Sequence, residues 1–215
     1  MEPRGLLFVA SDIDAQDEDN FNRWYDDEHL EDRVRMDGVL SASRYVAVDG
    51  GPRYLALYWA RSVSAFDSPA YAHAFRHQTP WSVDVLSKMR SPVRRIGTLH
   101  AEIGKGYGGW LAVLQLDMSD ETDRLIEQCA TLGRTLSQRS GFVRSYLLLP
   151  NDDLSRPLPL EDMSRRQMRP ILIIESSSPS SNEAALQTAA TSLNGSSVAT
   201  ARYGLAWNLD ARECA

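Results

Sequence analysis

One order of local signals, read twice along 215 residues, constrains this chain more than any other feature. Gly5 to Ile13 is a short apolar run suited to a strand, and the acidic stretch Asp14 to Asn20 supplies side chains that favour a helix N-terminus. From Asp17 to about Met36, Phe21, Trp24, Tyr25 and Leu30 recur at roughly helical spacing, and Asp37-Gly38 ends the pattern. Val39 to Val48 and Tyr54 to Ala60 read as strands around Asp49-Gly50-Gly51-Pro52, which predicts an antiparallel hairpin. Ser64 to His77 reads as a helix. Pro80 interrupts it, and a partly helical Trp81 to Met89 leads into a strand over Val93 to Ile103.

After the Gly-rich joint Gly104 to Gly109 the order begins again. Trp110 to Met118 matches the first strand, and Ser119 to Arg139 is a helix opened by Ser119-Asp120-Glu121 and stopped by Ser140-Gly141. Phe142 to Leu149 matches the second strand, and a polar excursion from Pro150 to Met168 delays the third, Pro170 to Glu175. The Ser/Pro cluster Ser176 to Ser181 caps a helix from Asn182 to Leu193, and Val198 to Leu209 closes the set. Gly5 recurs as Gly109, Gly38 as Gly141 and Val93 as Val198, a spacing of about 104 residues that marks a tandem duplication.

A β-α-β-β-α-β unit is the ferredoxin-like motif, in which two helices cover one face of a four-stranded antiparallel sheet. Strands such as Tyr54-Leu55-Ala56-Leu57-Tyr58-Trp59 are apolar on both faces, so the face away from the helices needs a second sheet. The expected fold is α+β, with residues 1–105 and 106–215 as two ferredoxin-like halves whose antiparallel sheets pack into one pseudo-symmetric, intrachain α/β barrel. The alternative is two independent ferredoxin-like domains.

Composition narrows the function. A net charge of −6 repels phosphate backbones and anionic lipid, so neither nucleic acid nor membrane is expected as a partner. The two cysteines, Cys129 and Cys214, form no CxxC pair and imply a reducing compartment. No apolar run is long enough to span a bilayer, and the apolar core of the opening MEPRGLLFVASD is too short for a signal peptide. The expected location is cytoplasmic.

The first helix carries the chemistry. In Phe21-Asn22-Arg23-Trp24-Tyr25-Asp26-Asp27-Glu28-His29, helical spacing puts Phe21, Tyr25, His29 and Arg33 on one stripe and Trp24 and Glu28 on the next. An imidazole beside a carboxylate and aromatic walls can be tuned across neutral pH, because the carboxylate raises its pKa while desolvation lowers it. That combination suits a general base. Tyr45, Tyr54 and Tyr58 lie on the second and third strands, where they line an aromatic cavity or pack the core. A structural role for His29, anchoring the helix, is the other reading of that residue.

The patterns F-N-R-W-Y-D-D-E-H, then D-G-V-L-S-A-S-R-Y ending at Tyr45, then P-R-Y-L-A-L-Y from Pro52 to Tyr58, resemble the EthD-like branch of the dimeric α/β-barrel superfamily over about the first 70 residues. The second half matches by element order alone. Its equivalent helix reads Ile126-Glu127-Gln128-Cys129-Ala130-Thr131-Leu132, with no such histidine. The resemblance implies two ferredoxin-like units paired sheet to sheet. It also implies activities of the cofactor-independent kind: monooxygenases, lactone isomerases, and cyclases or decarboxylases of aromatic polyketide-like molecules. By position, the family's helix histidine corresponds to His29, and its acidic and aromatic neighbours to Glu28, Trp24 and Tyr25.

The expected function is binding of a hydrophobic or aromatic carbonyl compound, with His29 moving a proton, Glu28 orienting the imidazole and Tyr25 and Tyr58 bonding a carbonyl or enolate. Phe21 and Trp24 form walls, with Arg33, Tyr45 and Tyr54 as further binding residues. No cofactor and no metal is required. The rival reading is a non-catalytic ligand-binding or assembly module that uses the helix as an interface, with a homodimer as one option. A third, haem handling, needs an axial histidine facing an open apolar cavity. Other signals are weaker. His73 and His77 have metal-sharing spacing without an HExxH glutamate, and the joint Gly104 to Gly109 lacks the phosphate-loop pattern. The basic clusters Arg90, Arg94, Arg95 and Arg165, Arg166, Arg169 read as solvated, although one could clamp a substrate carboxylate.

Overall fold

The computed structural model describes residues 2–117, 121–193 and 196–214. The first half contains β1 (Gly5–Asp12), α1 (Glu18–Trp24), a π-helical turn (Tyr25–His29), α2 (Leu30–Val34), β2 (Val39–Asp49) and β3 (Tyr54–Ala60). A 3₁₀ turn (Val63–Asp67), α3 (Pro69–Arg76), α4 (Pro80–Leu86) and β4 (Arg90–Gly104) complete it. The second half contains β5 (Trp110–Leu116), α5 (Thr122–Leu136), β6 (Phe142–Pro150), β7 (Ile171–Ser176), α6 (Pro179–Ser192) and β8 (Ser197–Asp210).

All eight strands close one antiparallel barrel in the order β1-β3-β2-β8-β5-β7-β6-β4. Each half contributes four neighbouring strands in the ferredoxin-like order, and the halves join along two seams. Ala42 faces Leu209 across β2–β8, and Thr98 faces Leu149 across β4–β6. Closure removes every sheet edge, which would otherwise present unpaired N–H and C=O groups. Alternation then sorts the side chains. Leu6, Phe8, Leu57, Trp59, Ile173 and Tyr203 fill the lumen, while Leu7, Val9, Ala56 and Tyr58 point outward to the first-half helices. Leu114, Leu147 and Ile174 do the same beneath α5 and α6. Among the described residues, no helix is long and apolar enough to cross a membrane.

Several boundaries differ from the sequence reading for local reasons. The helix expected from Ser64 to His77 divides at Ser68, which is extended because Pro69 follows and which caps α3 by accepting from the Tyr71 N–H. α6 begins at Pro179 rather than Asn182, because proline suits the first helical turn and Ser178 accepts from the Ser181 N–H. The expected opening of α5 at Ser119 and Asp120, and the end of the fifth strand at Met118, lie outside the described residues.

The excursion between β6 and β7 runs along β4. Ser155 Oγ accepts from the Ile96 N–H at 2.9 Å and donates to the Ile96 carbonyl at 3.1 Å. Arg95 donates to Glu161 at 2.6 Å, and both side chains are buried. Arg94 and Arg95 are therefore not solvated, contrary to the sequence reading. β4 is a seam strand, and a loop from the other half covers both of its faces.

Candidate functional site

Helix formation from Glu18 to Val34 follows from the acidic first turn and the apolar spacing, but its middle widens. The Leu30 N–H bonds to the Tyr25 carbonyl, five residues back. This turn brings residues five apart onto one face. The His29 ring consequently stacks on Trp24, with centroids 4.0 Å apart and planes at 25°. Tyr25 and Tyr58 meet it edge-on at 5.4 Å and 6.3 Å.

His29 opens into a cleft of about 30 Å³ between this helix and the outer face of the first-half sheet. Leu7, Val9 and Tyr58 form its floor, α3 and the following loop add Tyr71, Phe75 and Gln78, and Arg33 and Arg94 are its cations. Among the described residues, no Asp or Glu lines it. Burial, then Arg33 and Arg44, hold the imidazole well below its usual 6.5. Burial pushes the Tyr25 phenol up to about 12 against the pull of Arg44, and it raises Tyr58 as well. The Tyr58 hydroxyl is buried beside Tyr25, and a side-chain hydrogen bond between the two phenols works against the rise at Tyr25. At neutral pH the site thus presents a neutral imidazole, two protonated phenols and two guanidinium groups.

The expected residues divide by where the fold puts them. Tyr25, His29, Arg33 and Tyr58 share the cleft. Trp24 backs the imidazole, and its Nε1 donates to Ser82 at 3.0 Å. Glu28 faces away from the imidazole: its Oε1 accepts from Thr79 at 2.6 Å and Ser82 at 3.0 Å, anchoring the start of α4. The tuning expected of Glu28 comes instead from burial and arginines. Phe21 packs on Tyr25 and Tyr54 outside the cleft, and the Tyr54 hydroxyl donates to Glu18. Tyr45 pairs with Leu55, not with Tyr54, so strand alternation turns it into the barrel lumen, opposite to Tyr54 and Tyr58.

Sequence reasoning missed Arg44. Its guanidinium lies 4.2 Å from the Tyr25 ring centroid and donates to Asp26 and Asn22, each at 2.9 Å. Its only signal was a charge inside an otherwise weakly polar strand.

The depressed His29 pKa has a measurable consequence. Between its folded pKa and 6.5 the unfolded chain binds a proton that the folded chain does not, so stability falls as pH drops through that window. His29→Gln is expected to remove a slope of up to about 1.4 kcal/mol per pH unit there. Urea midpoints for both proteins between neutral and mildly acidic pH measure it; parallel curves would show that His29 titrates normally.

No protein-family model matches the chain, and no curated protein matches it in sequence. Solved structures do. An anthrone oxidase-like protein aligns over 100% of this chain and 96% of its own at TM-score 0.67 and 13% identity. A proposed monooxygenase from Lactobacillus acidophilus NCFM aligns over 98% and 97% at TM-score 0.59 and 9% identity. Both align over almost their full lengths, as the closed eight-strand topology requires.

The chain has the dimeric α/β-barrel fold. In this dimeric α/β barrel both ferredoxin-like units belong to one polypeptide. A chlorite dismutase from Candidatus Nitrospira defluvii shares the fold over 100% of this chain and 94% of its own, at TM-score 0.57 and 9% identity. Among the described residues no histidine faces an open apolar cavity of the size that haem needs. His29 faces too little space, His73 and His77 stack on each other at 4.0 Å, and His100 Nε2 lies 2.9 Å from Thr98 Oγ1. Among the described residues, no group of three His, Cys, Asp or Glu side chains is placed to hold a metal ion.

Proposed function

We propose that this barrel binds a hydrophobic, weakly acidic carbonyl compound in the His29 cleft and uses the neutral imidazole to remove its proton, as a cofactor-independent oxygenase of the EthD-like kind. The observation that carries this reading is the His29 environment: an imidazole kept neutral against Trp24, facing apolar walls, two phenols and two cations. A low pKa makes imidazole a weak base in isolation. The arginines that disfavour its cationic form also favour the enolate made in the same step, so the proton moves toward an ion pair stabilised by its surroundings. The Tyr25 and Tyr58 hydroxyls, both lining the cleft, supply a donor for the carbonyl oxygen. For an anthrone, the carbanion gives its electrons to dioxygen, and anthrone plus dioxygen yields anthraquinone plus water. Isomerisation or decarboxylation would use the same first step.

A cleft of about 30 Å³ holds little more than water, so Tyr71, Phe75 and Gln78 must move outward to admit such a substrate. That small volume favours a second reading, a non-catalytic module whose cleft stays filled by side chains. Oxygen uptake and anthraquinone absorbance with anthrone as probe separate the two. Turnover by the wild type, lowered at least about 100-fold in a folded His29→Gln variant, is expected. Unchanged turnover in the variant would exclude His29 as the base, and absence of both turnover and binding would favour the module.

A further inference from the structure

We propose that the cleft, once Tyr71, Phe75 and Gln78 have shifted outward, takes an anionic ligand, a small aromatic carboxylate whose charge lies against Arg94 and Arg33. Four arginines are buried: Arg44, Arg94, Arg95 and Arg144. Three have a carboxylate within reach, namely Arg44 with Asp26 at 2.9 Å, Arg95 with Glu161 at 2.6 Å and Arg144 with Glu175 at 2.8 Å. Arg94 differs. It is 3% exposed, and all its partners are neutral: the Leu154 and Arg156 carbonyls at 2.9 Å and 3.0 Å, and the Tyr71 hydroxyl at 2.9 Å. No ion pair to it exists among the described residues.

A buried cation without a counterion is costly, and a bound anion is what relieves that cost. Arg33 adds to it. Its Nη2 donates to the Gln78 amide oxygen at 3.3 Å, it makes no ion pair among the described residues, and it lines the same cleft. Guanidinium groups present planar forks suited to a carboxylate. The Phe75 ring, 4.8 Å below the Arg94 guanidinium, and Leu158 offer surfaces for an aromatic body.

The carbonyls that hold Arg94 belong to the excursion between β6 and β7, which also supplies Leu158. That excursion is tied down by Glu161, which accepts from Arg95, and by Arg166, which bonds Ser155. The second half thus positions the anion-binding residue of the first. A bound carboxylate would place its α-carbon or ring beside His29. This inference rests on the proposed site but not on its chemistry.

Titration of the intact protein with benzoate and with neutral benzamide, followed by tryptophan fluorescence, tests it. Benzoate is expected to bind at least about tenfold more tightly, because a hydrogen bond between two charged groups is stronger than one to a neutral amide. Arg94→Gln should remove that preference and Arg94→Lys retain part of it. If Arg94→Gln fails to fold by circular dichroism, Arg33→Gln carries the test, with a several-fold loss expected for benzoate and none for benzamide. Equal binding of the two probes, no binding of benzoate, or wild-type benzoate affinity in the folded variants would overturn the proposal. Benzoate preference without anthrone turnover would sink the proton-transfer reading alone, and turnover without benzoate preference would sink this one alone.

Discussion

Glu175→Ala is expected to destabilise the protein by about 3 to 5 kcal/mol, the range for stripping one partner from a buried ion pair. Glu175 lies inside the barrel with no solvent exposure. Its Oε1 accepts from Arg144 Nε at 2.9 Å and from the Tyr146 hydroxyl at 2.8 Å and lies 2.8 Å from Arg144 Nη2 as an ion pair, and its Oε2 accepts from the Gly108 N–H at 2.7 Å. The Arg144 guanidinium lies 3.9 Å from the Trp59 ring and 4.5 Å from the Tyr107 ring, so its other near neighbours are aromatic and supply no counterion. Alanine leaves a buried cation and a buried amide unpaired at once. Glu175→Gln keeps the shape and an acceptor, so its loss should be smaller. Replacing the pair together, Glu175→Leu with Arg144→Met, should recover much of the loss, since the penalty lies in the orphaned charge. Urea unfolding of the three variants measures this, and a Glu175→Ala midpoint equal to the wild type would refute the buried network.

Gly97→Ala is expected to cost about 3 kcal/mol or more, because the overpacking meets backbone that has little room to yield. Gly97 is on β4 opposite Pro150 at the β4–β6 seam, and a Cβ there would stand 1.9 Å from the Leu149 carbonyl oxygen and 2.6 Å from its carbon. Relief requires the two halves to part along that seam. The lumen side chains of both halves interdigitate, so parting them exposes Leu6, Trp59, Leu99, Tyr146 and Leu148 to water. Unfolding of the wild type is therefore expected as one transition followed equally by fluorescence and circular dichroism, and the variant as one transition at a lower midpoint. Two separate transitions, with only one moved by the substitution, would mean that the halves unfold independently.

Local information accounts for much of what the residues foretold. The β3 run Tyr54–Ala60 occupies its expected span, Pro80 starts α4, and Gly38, with φ +85°, turns the chain toward β2 after α2 has ended at Val34, a little before the expected stop. Each depends on chemistry within a few residues: alternation, a missing N–H or a left-handed backbone. The candidate site was legible to the same depth. His29, Tyr25 and Arg33 follow from helix spacing and Tyr58 from its strand face. The π turn that lays His29 on Trp24 carries no spacing signal, since an α-helix with one widened turn reads like an α-helix.

The sequence by itself determined the repeated order of strands and helices, the caps and breaks between them, and the concentration of aromatic and ionisable groups on the first helix. Those are consequences of periodicity and backbone sterics, which act over one or two turns. Only the tertiary structure decided that the sheets close through β2–β8 and β4–β6, that Tyr45 enters the lumen, that Glu28 serves α4, and that Arg94 is buried against carbonyls roughly 60 residues away. A charged side chain on a strand looks the same in sequence whether water or a distant loop covers it. Its burial, its counterion and its pKa are set by what the rest of the chain brings to it.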